Sequence, residues 1–251
     1  MVFGSPPGPI LSVLTGSSPD WTIWTGLAFP PDFPRGELDF LHRYISGRNP
    51  EPEKPPRWKE WTDGINGHVY RFLACDEHVK AVCSSLKAES APPFPERYKQ
   101  EKWLFAFFYE GLSALECLFY ALYFLGAHVD PETFALDARR QDITPRFVTK
   151  RFETRFGKEA LTAELRATLD DEEYGNWLDI RNILSHRGHG GRTVYAGGPR
   201  SRQSDWNLPI SEAQATAILD PAELERRRAW LGERVARILK AAHTFGTSEI
   251  S

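Results

Sequence analysis

The sequence contains few cysteines and carries little net charge. Its three cysteines, Cys75, Cys83 and Cys117, form no C-x-x-C pair, and their odd number leaves a thiol over in any disulfide scheme. This pattern argues against a secreted disulfide scaffold and a structural zinc site, and it favours a reducing cytoplasm. The net charge of −3, from 31 basic and 34 acidic residues, excludes a polycation that binds nucleic acid indiscriminately. Any basic site must therefore be local.

Several signatures of catalysis and targeting are also missing. The chain has no G-x-S-x-G, no H-E-x-x-H and no G-x-G-x-x-G after a strand, which argues against a serine hydrolase, a zinc hydrolase and a dinucleotide-binding domain. The N-terminus lacks a charged start followed by an apolar core, so we expect no signal peptide. Residues 103–125 are apolar enough to cross a membrane, but Glu110 and Glu116 would each cost about 2.5 to 3.5 kcal/mol at mid-bilayer. We expect a buried central helix there and no membrane partner.

The sequence begins with a proline-rich stretch, residues 1–57, which we call the arm. Prolines recur throughout residues 1–57 and exclude a long helix, so that a short helix near residues 36–45 is the most this stretch allows. The arm is nevertheless too apolar for a solvated tail. We predict that it packs on the core as an appendage and forms no second domain. Its predicted anchors are Trp21, Trp24, Phe29, Phe33 and Phe40.

Residues 58–251 are predicted to form an all-α helical bundle. Apolar residues recur at three- and four-residue steps over residues 58–87 and 98–126, and the second stretch is apolar on most of its circumference. Cys75 and Cys83 are predicted to be small buried thiols on the first of these helices.

Three shorter signals complete the predicted bundle. Thr144-Pro145 caps a helix over residues 146–155, and another follows over residues 159–169. Asp220 to Glu223 combines a cap, a proline and a carboxylate that begin the last helix. Before that helix, residues 188–204 are rich in glycine and arginine and predict a flexible basic loop, in which residues 193–195 have the composition of a short strand.

The stretch that carries candidate chemistry is W-L-D-I-R-N-I-L-S-H-R-G, residues 177–188. Acidic residues before it and a glycine after it predict a helix whose last turn contains His186 and Arg187. A basic last turn is also an ordinary way to end a helix. Arg181 and His186 are five residues apart, which is about 140° of rotation on an ideal helix, whereas Asn182 lies one turn from His186. One helix therefore aims Arg181 and His186 differently unless its last turn unwinds.

Two further patterns each leave alternatives open. Glu110, Ser113 and Glu116 form a polar line on the apolar central helix, and buried carboxylates rarely lack partners. The line either faces solvent or a structural arginine, or it orients Arg181 or His186. A basic run between residues 139 and 158 is either a solvated face or a surface for a phosphate backbone. Its members are Arg139, Arg140, Arg146, Lys150, Arg151, Arg155 and Lys158.

A bundle of long helices with R-N-I-L-S-H late on one helix resembles the HEPN superfamily, whose ribonuclease motif is R-x(4 to 6)-H. The resemblance covers residues 58–245 in architecture but six residues in motif. It implies Arg181 and His186 as catalytic residues, with Asn182 as the polar residue after the arginine and Glu116 as the acidic residue of an earlier helix. It also implies a homodimer that brings two motifs to one cleft, which would relieve the angular mismatch. The arm and the basic loop have no counterpart in it.

The expected activity is metal-independent cleavage of RNA in the cytoplasm. The 2′-OH is RNA's own nucleophile, so a histidine for proton transfer and an arginine for the developing phosphate charge suffice without a cofactor. Arg187, His189 and Arg192 are candidates for contacts with the RNA backbone. HEPN ribonucleases often act as toxins with an antitoxin partner or as antiviral effectors, and the resemblance extends that expectation here.

The sequence also leaves three alternatives to this activity. The chain could be a noncatalytic HEPN-like module that binds RNA or a nucleotide, or a purely structural protein. A metal site at His186 and His189 is disfavoured, because no carboxylate or cysteine beside them completes a ligand set.

Overall fold

The computed structural model describes residues 24, 26–47, 56–86, 92–135, 138–186, 191–194, 204–209 and 216–249. Within these ranges the predicted all-helical bundle is confirmed, with one small sheet added to it. The helices are α1 (Arg35–Gly47), α2 (Pro56–Leu86), α3 (Phe94–Val129), α4 (Pro145–Phe156), α5 (Ala160–Leu169), α6 (Glu172–His186) and α7 (Pro221–Glu249), and the strands are β1 (Gly191–Val194), β2 (Ser204–Pro209) and β3 (Thr216–Leu219).

Helices α2 and α3 pack against each other along their lengths as an antiparallel pair. Their axes approach closely because glycines face α3: a Cβ on Gly64 would lie 2.9 Å from the Cβ of Ala121. Further along, the ring of His68 bonds the carbonyl of Ala114 at 2.9 Å. The pair is the scaffold on which the other helices are placed.

Helix α3 is the central helix of the bundle, as its apolar circumference predicted. It is long and apolar enough to cross a membrane, yet 72% of its most apolar 18-residue segment is buried within the protein. That burial fits the core helix of a globular bundle. Its buried side chains include Leu104, Phe107, Phe108, Leu112, Leu115, Leu118, Phe119 and Leu122.

The structure contains the two helix N-termini that the sequence predicted most clearly. Thr144 Oγ1 accepts a hydrogen bond from the amide of Phe147, and Pro145 is the first residue of α4. Asp220 Oδ1 accepts one from the amide of Glu223 at 2.8 Å, and α7 begins at Pro221. These side chains satisfy amide groups that have no partner within their own helix.

Helix α6 is seated on α3 by Trp177. The indole is fully buried, with its ring centroid 5.0 Å from those of Phe107 and Phe108. It covers Gly111 so closely that a Cβ there would lie 2.3 Å from the indole carbon Cζ3. Glycine at position 111 is therefore what lets α6 approach α3.

The start of α6 is held by α7. Asp171 accepts hydrogen bonds from the amide of Glu173 and from the indole of Trp230, and it pairs with Arg234. Glu173 in turn pairs with Arg227, whose side chain is 3% exposed. Because these charges are paired in a poorly hydrated contact, they fix the register of α6 on the bundle.

The described part of the N-terminal arm packs on α2 and α7. Trp24 and Phe33 are buried, and the Phe33 ring lies 5.0 Å from that of Phe72. Asp32 forms a bidentate pair with Arg228 of α7, at 2.8 and 3.2 Å. The short helix predicted in the arm is present as α1.

The stretch between α6 and α7 is described in part, and most of its predicted flexible loop, residues 188–190 and 195–203, lies outside the described residues. It contains an antiparallel sheet of order β1-β2-β3, in which β1 lies near the expected strand and β2 and β3 were missed. The physical reason is burial of alternate residues: Trp206 and Leu208 of β2 are fully buried, and the Trp206 indole donates to Glu101 of α3 at 2.6 Å. Such a two-residue alternation is typical of a half-buried strand.

Candidate functional site

Arg181 lies on the face of α6 that is turned to α3. It follows Trp177 by four residues, and its side chain is partly buried. Its Nε is shielded from solvent and has no hydrogen-bond partner among the described residues. No described carboxylate lies within the 4.0 Å of an ion pair with it. Most partly buried arginines of the described chain are paired with a carboxylate, and Arg181 differs from them in this respect.

The charge of Arg181 acts on the carboxyl group of Glu116. Burial raises the pKa of the Glu116 carboxyl above its ordinary value, and the positive charges of Arg181 and Arg71 oppose that rise without cancelling it. Glu116 of α3 and Arg181 of α6 thus influence each other's charge without a direct ion pair. The arginine's charge is left partly uncompensated.

Tyr174 was missed by the sequence analysis and belongs to the same place. Burial first and the Glu116 charge second raise the pKa of its hydroxyl to about 12, while Arg146 and Arg181 act in the opposite direction. Tyr174 precedes Arg181 by seven residues, so both lie on one face of α6. A tyrosine at that spacing from the motif arginine was the signal available in the sequence.

Arg146 at the start of α4 is the member of the basic run that comes near the motif helix. It is exposed and makes no ion pair within the described chain. We call Glu116, Arg146, Tyr174 and Arg181 the α3–α6 site. Two guanidinium groups without a carboxylate partner in the described chain, beside a carboxyl whose pKa is raised, favour the binding of an anion.

Four other members of the basic run make contacts within the fold instead. Arg139 pairs with Asp142, Arg140 with Glu60 and Arg155 with Asp130. Arg151 lies over the ring of Phe147 at 4.9 Å. Most of the run is thus a structural and solvated face.

The polar line on α3 is divided between two roles. Glu110 pairs with Arg71 of α2 at 2.7 Å, which is the structural alternative. Glu116, two turns further along, lies instead near Arg181. Arg71 was not predicted from the sequence because its partner sits on another helix, 39 residues away.

The structure does not place the other predicted site residues at the α3–α6 site. Asn182 is exposed and lies about 100° around α6 from Arg181. Helix α6 stays helical through His186, so its last turn does not unwind and positions 181 and 186 remain about 140° apart. The side chains of His186 and Arg192 lie outside the described structure, as do residues Arg187 and His189 altogether.

No group of three or more histidine, cysteine or carboxylate side chains that could hold a metal ion occurs in the described ranges. Cys75 and Cys83 are buried, as predicted, and Cys117 is partly buried. Burial raises the pKa of the Cys117 thiol, and the neighbouring Arg71 lowers it by less. A thiol with a raised pKa is a poor nucleophile at neutral pH.

Comparisons of the chain with protein-family models, with curated proteins and with solved structures found no match.

Proposed function

We propose that this chain is a HEPN-like, metal-independent endoribonuclease that cleaves RNA through attack of the 2′-OH. The observation that carries the proposal is Arg181: a partly buried guanidinium with no carboxylate partner in the described chain, flanked by Arg146 and next to a carboxyl of raised pKa. A phosphate group is the ligand that such an arrangement binds most favourably.

In the proposed reaction the 2′ oxygen bonds to the adjacent phosphorus and the bond from phosphorus to the 5′ oxygen breaks. The products are a 2′,3′-cyclic phosphate and a 5′-OH. His186 accepts the proton of the 2′-OH or protonates the departing 5′ oxygen, and Arg181 stabilises the charge on the non-bridging oxygens. Glu116 and Asn182 position these groups. Arg187, His189 and Arg192 contact the RNA backbone.

The proposal includes a cytoplasmic homodimer. Positions 181 and 186 are aimed about 140° apart on one helix, so two copies of α6 at one cleft would supply an arginine and a histidine to the same phosphate. By the same resemblance, the proposed biological role is that of a toxin inhibited by an antitoxin, or of an antiviral effector.

The first test is cleavage of labelled single-stranded RNA in EDTA by the wild type, His186→Ala, Arg181→Ala and a control, Arg237→Ala. Arg237 pairs with Glu164 on the far helices α7 and α5 and takes no part in the proposed site. We expect cyclic-phosphate ends from the wild type and the control. Both site variants should be slower by at least about 100-fold, the usual contribution of an acid–base group or of a charge-stabilising donor.

Two outcomes would contradict the proposal. Cleavage by His186→Ala at the wild-type rate would remove the histidine from the reaction. Tight binding of RNA by a folded wild-type dimer that cleaves none of several RNAs would leave the noncatalytic binding module instead. Circular dichroism of each variant controls for misfolding.

A further inference from the structure

The exposed surface of α3 has an unusual composition. Its exposed residues are four aromatic residues, three basic residues and one proline, with no exposed aliphatic side chain. The aromatic residues, which we call the aromatic stripe, are Phe94, Tyr98, Phe105 and Tyr109, with exposed fractions of 80%, 64%, 39% and 40%. Soluble proteins normally keep side chains of this size from water, so such a set marks an interaction surface.

The aromatic stripe occupies one side of α3. At about 100° per residue, its four positions fall within an arc of about 60°, and they span about 22 Å of helix. The rings of Phe105 and Tyr109 are already stacked, with centroids 5.8 Å apart and an angle of 17° between their planes. The stripe therefore presents flat rings in a row.

Basic side chains border the stripe. Arg97 and Lys102 lie about 60° to one side and about 80° to the other side of Phe94 around the helix. Lys102 makes no ion pair in the described chain, and the Arg97 side chain donates to the carbonyl of Pro92. The nearby carboxylates are engaged, since Glu96 pairs with Lys99 and Glu110 with Arg71. The border is thus positively charged.

The stripe leads directly to the α3–α6 site. Glu116 follows Tyr109 by seven residues and falls within the same 60° arc. Arg71, whose charge acts on Glu116, also lies 6.0 Å from the centroid of the Tyr109 ring. A ligand that follows the stripe along α3 would therefore reach Arg181.

We infer that the aromatic stripe binds single-stranded RNA by stacking on its bases, and so guides the strand into the α3–α6 site. Rings for the bases and cations for the phosphates, in one row, are the combination that single-strand binding requires. Aromatic rings and arginine are also common at protein interfaces, but lysine is depleted there, so the exposed Lys102 beside the stripe favours a nucleic acid as the ligand. The inference rests on the proposed function for its choice of RNA over DNA.

The test measures binding of a fluorescent single-stranded RNA by anisotropy, in the His186→Ala background to prevent cleavage. The variants are Phe105→Ala/Tyr109→Ala and, as a matched control, Tyr70→Ala, an exposed tyrosine on α2 outside the stripe. Loss of a stacked base typically weakens binding about tenfold. We expect at least that loss in the double variant, none in the control, and restored binding in Phe105→Tyr/Tyr109→Phe, which keeps both rings.

A second probe separates stacking from charge. An abasic strand of the same length keeps the phosphates, so it should bind weakly and equally to the wild type and the double variant. Equal affinity of the double variant and the wild type for the intact RNA would overturn the inference, as would a change from dimer to monomer in sedimentation with RNA binding unchanged.

The inference and the proposed function fail differently. If RNA is cleaved but the double variant binds and cleaves normally, the stripe is not the guide. If the wild type binds RNA through the stripe but does not cleave it, the RNA-binding surface is supported and the ribonuclease activity is contradicted.

Discussion

His68 is a fully buried histidine whose surroundings accept only its neutral form. Its Nδ1 faces the carbonyl of Ala114, which can only accept, so Nδ1 carries the proton. Its Nε2 is buried without a partner, and the rings of Phe33 and Phe72 lie against it. Protonation would add a buried N–H without an acceptor. Burial accordingly lowers the pKa of His68 to about 4, although the bond to Ala114 opposes that change.

This histidine should make the free energy of unfolding depend on pH. The unfolded chain takes up the proton near pH 6.5 and the folded chain near pH 4, so stability falls as pH decreases between those values and is fully retained above them. The difference between the two pKa values corresponds to about 3 kcal/mol. Urea unfolding of the wild type and of His68→Asn, whose amide can still donate to Ala114, would measure it. The wild type should lose its advantage over the variant as pH falls from 7 to 4, and parallel curves would contradict this account.

At the scale of the element, the position of α6 decides where Arg181 lies. Ile183 of the six-residue motif is buried in the core, but the polar and aromatic contacts that hold the helix lie before the motif. The contacts are those of Trp177 with α3 and of Asp171 and Glu173 with α7. The site is therefore built by residues that carry no chemistry of their own.

Gly111→Ala should displace α6. The added Cβ would overlap the Trp177 ring, and overpacking of this kind costs about 1 to 3 kcal/mol, which exceeds the gain of about 1 kcal/mol from replacing glycine within a helix. We expect a lower midpoint of thermal unfolding and, if the ribonuclease is confirmed, slower cleavage.

Gly175→Ala is the matched control for that variant. Gly175 also lies within a helix, α6 itself, but an added Cβ would meet nothing within 4 Å. Its variant should be at least as stable as the wild type. Equal stability of the two alanine variants would show that α6 does not depend on close approach at position 111.

At the scale of the molecule, the sequence predicts what local periodicity controls. The two long helices, predicted over residues 58–87 and 98–126, are observed as Pro56–Leu86 and Phe94–Val129, because an apolar stripe repeats along each. Glu116 was named as a partner of Arg181 from the polar line on α3 and from the resemblance, and the charges of the two residues do affect each other.

The parts that were missed depend on contacts between distant segments. Arg71 meets Glu110, and Arg146 comes near Tyr174, only after the helices have packed. The strands β2 and β3 form because Trp206 reaches Glu101 across 105 residues of sequence. No local pattern encodes such pairs, since their spacing is set by the tertiary fold.

The arm illustrates how a distant contact is built into the whole molecule. Asp32 reaches Arg228 only because α7 has glycine at position 232: a Cβ there would lie 2.0 Å from Asp32 Oδ2. Arg228 also pairs with Asp76 of α2 and lies 4.3 Å from the Phe72 ring centroid, so one buried cation joins the arm, α2 and α7. Gly232→Ala should therefore push the Asp32 carboxylate away from Arg228 while leaving the pair of Arg228 with Asp76.

We expect that variant to lose about 1 to 3 kcal/mol of unfolding free energy, the usual cost when a buried polar group loses a partner. The arm should also become more sensitive to limited proteolysis. Gly36→Ala is the control, because a Cβ on Gly36, in the first turn of α1, meets nothing within 4 Å. Asp32→Asn should reproduce part of the loss, since the amide keeps one acceptor but not the charge. Wild-type stability and protease resistance in Gly232→Ala would mean that the hydrophobic contacts of Trp24 and Phe33 hold the arm without the ion pair.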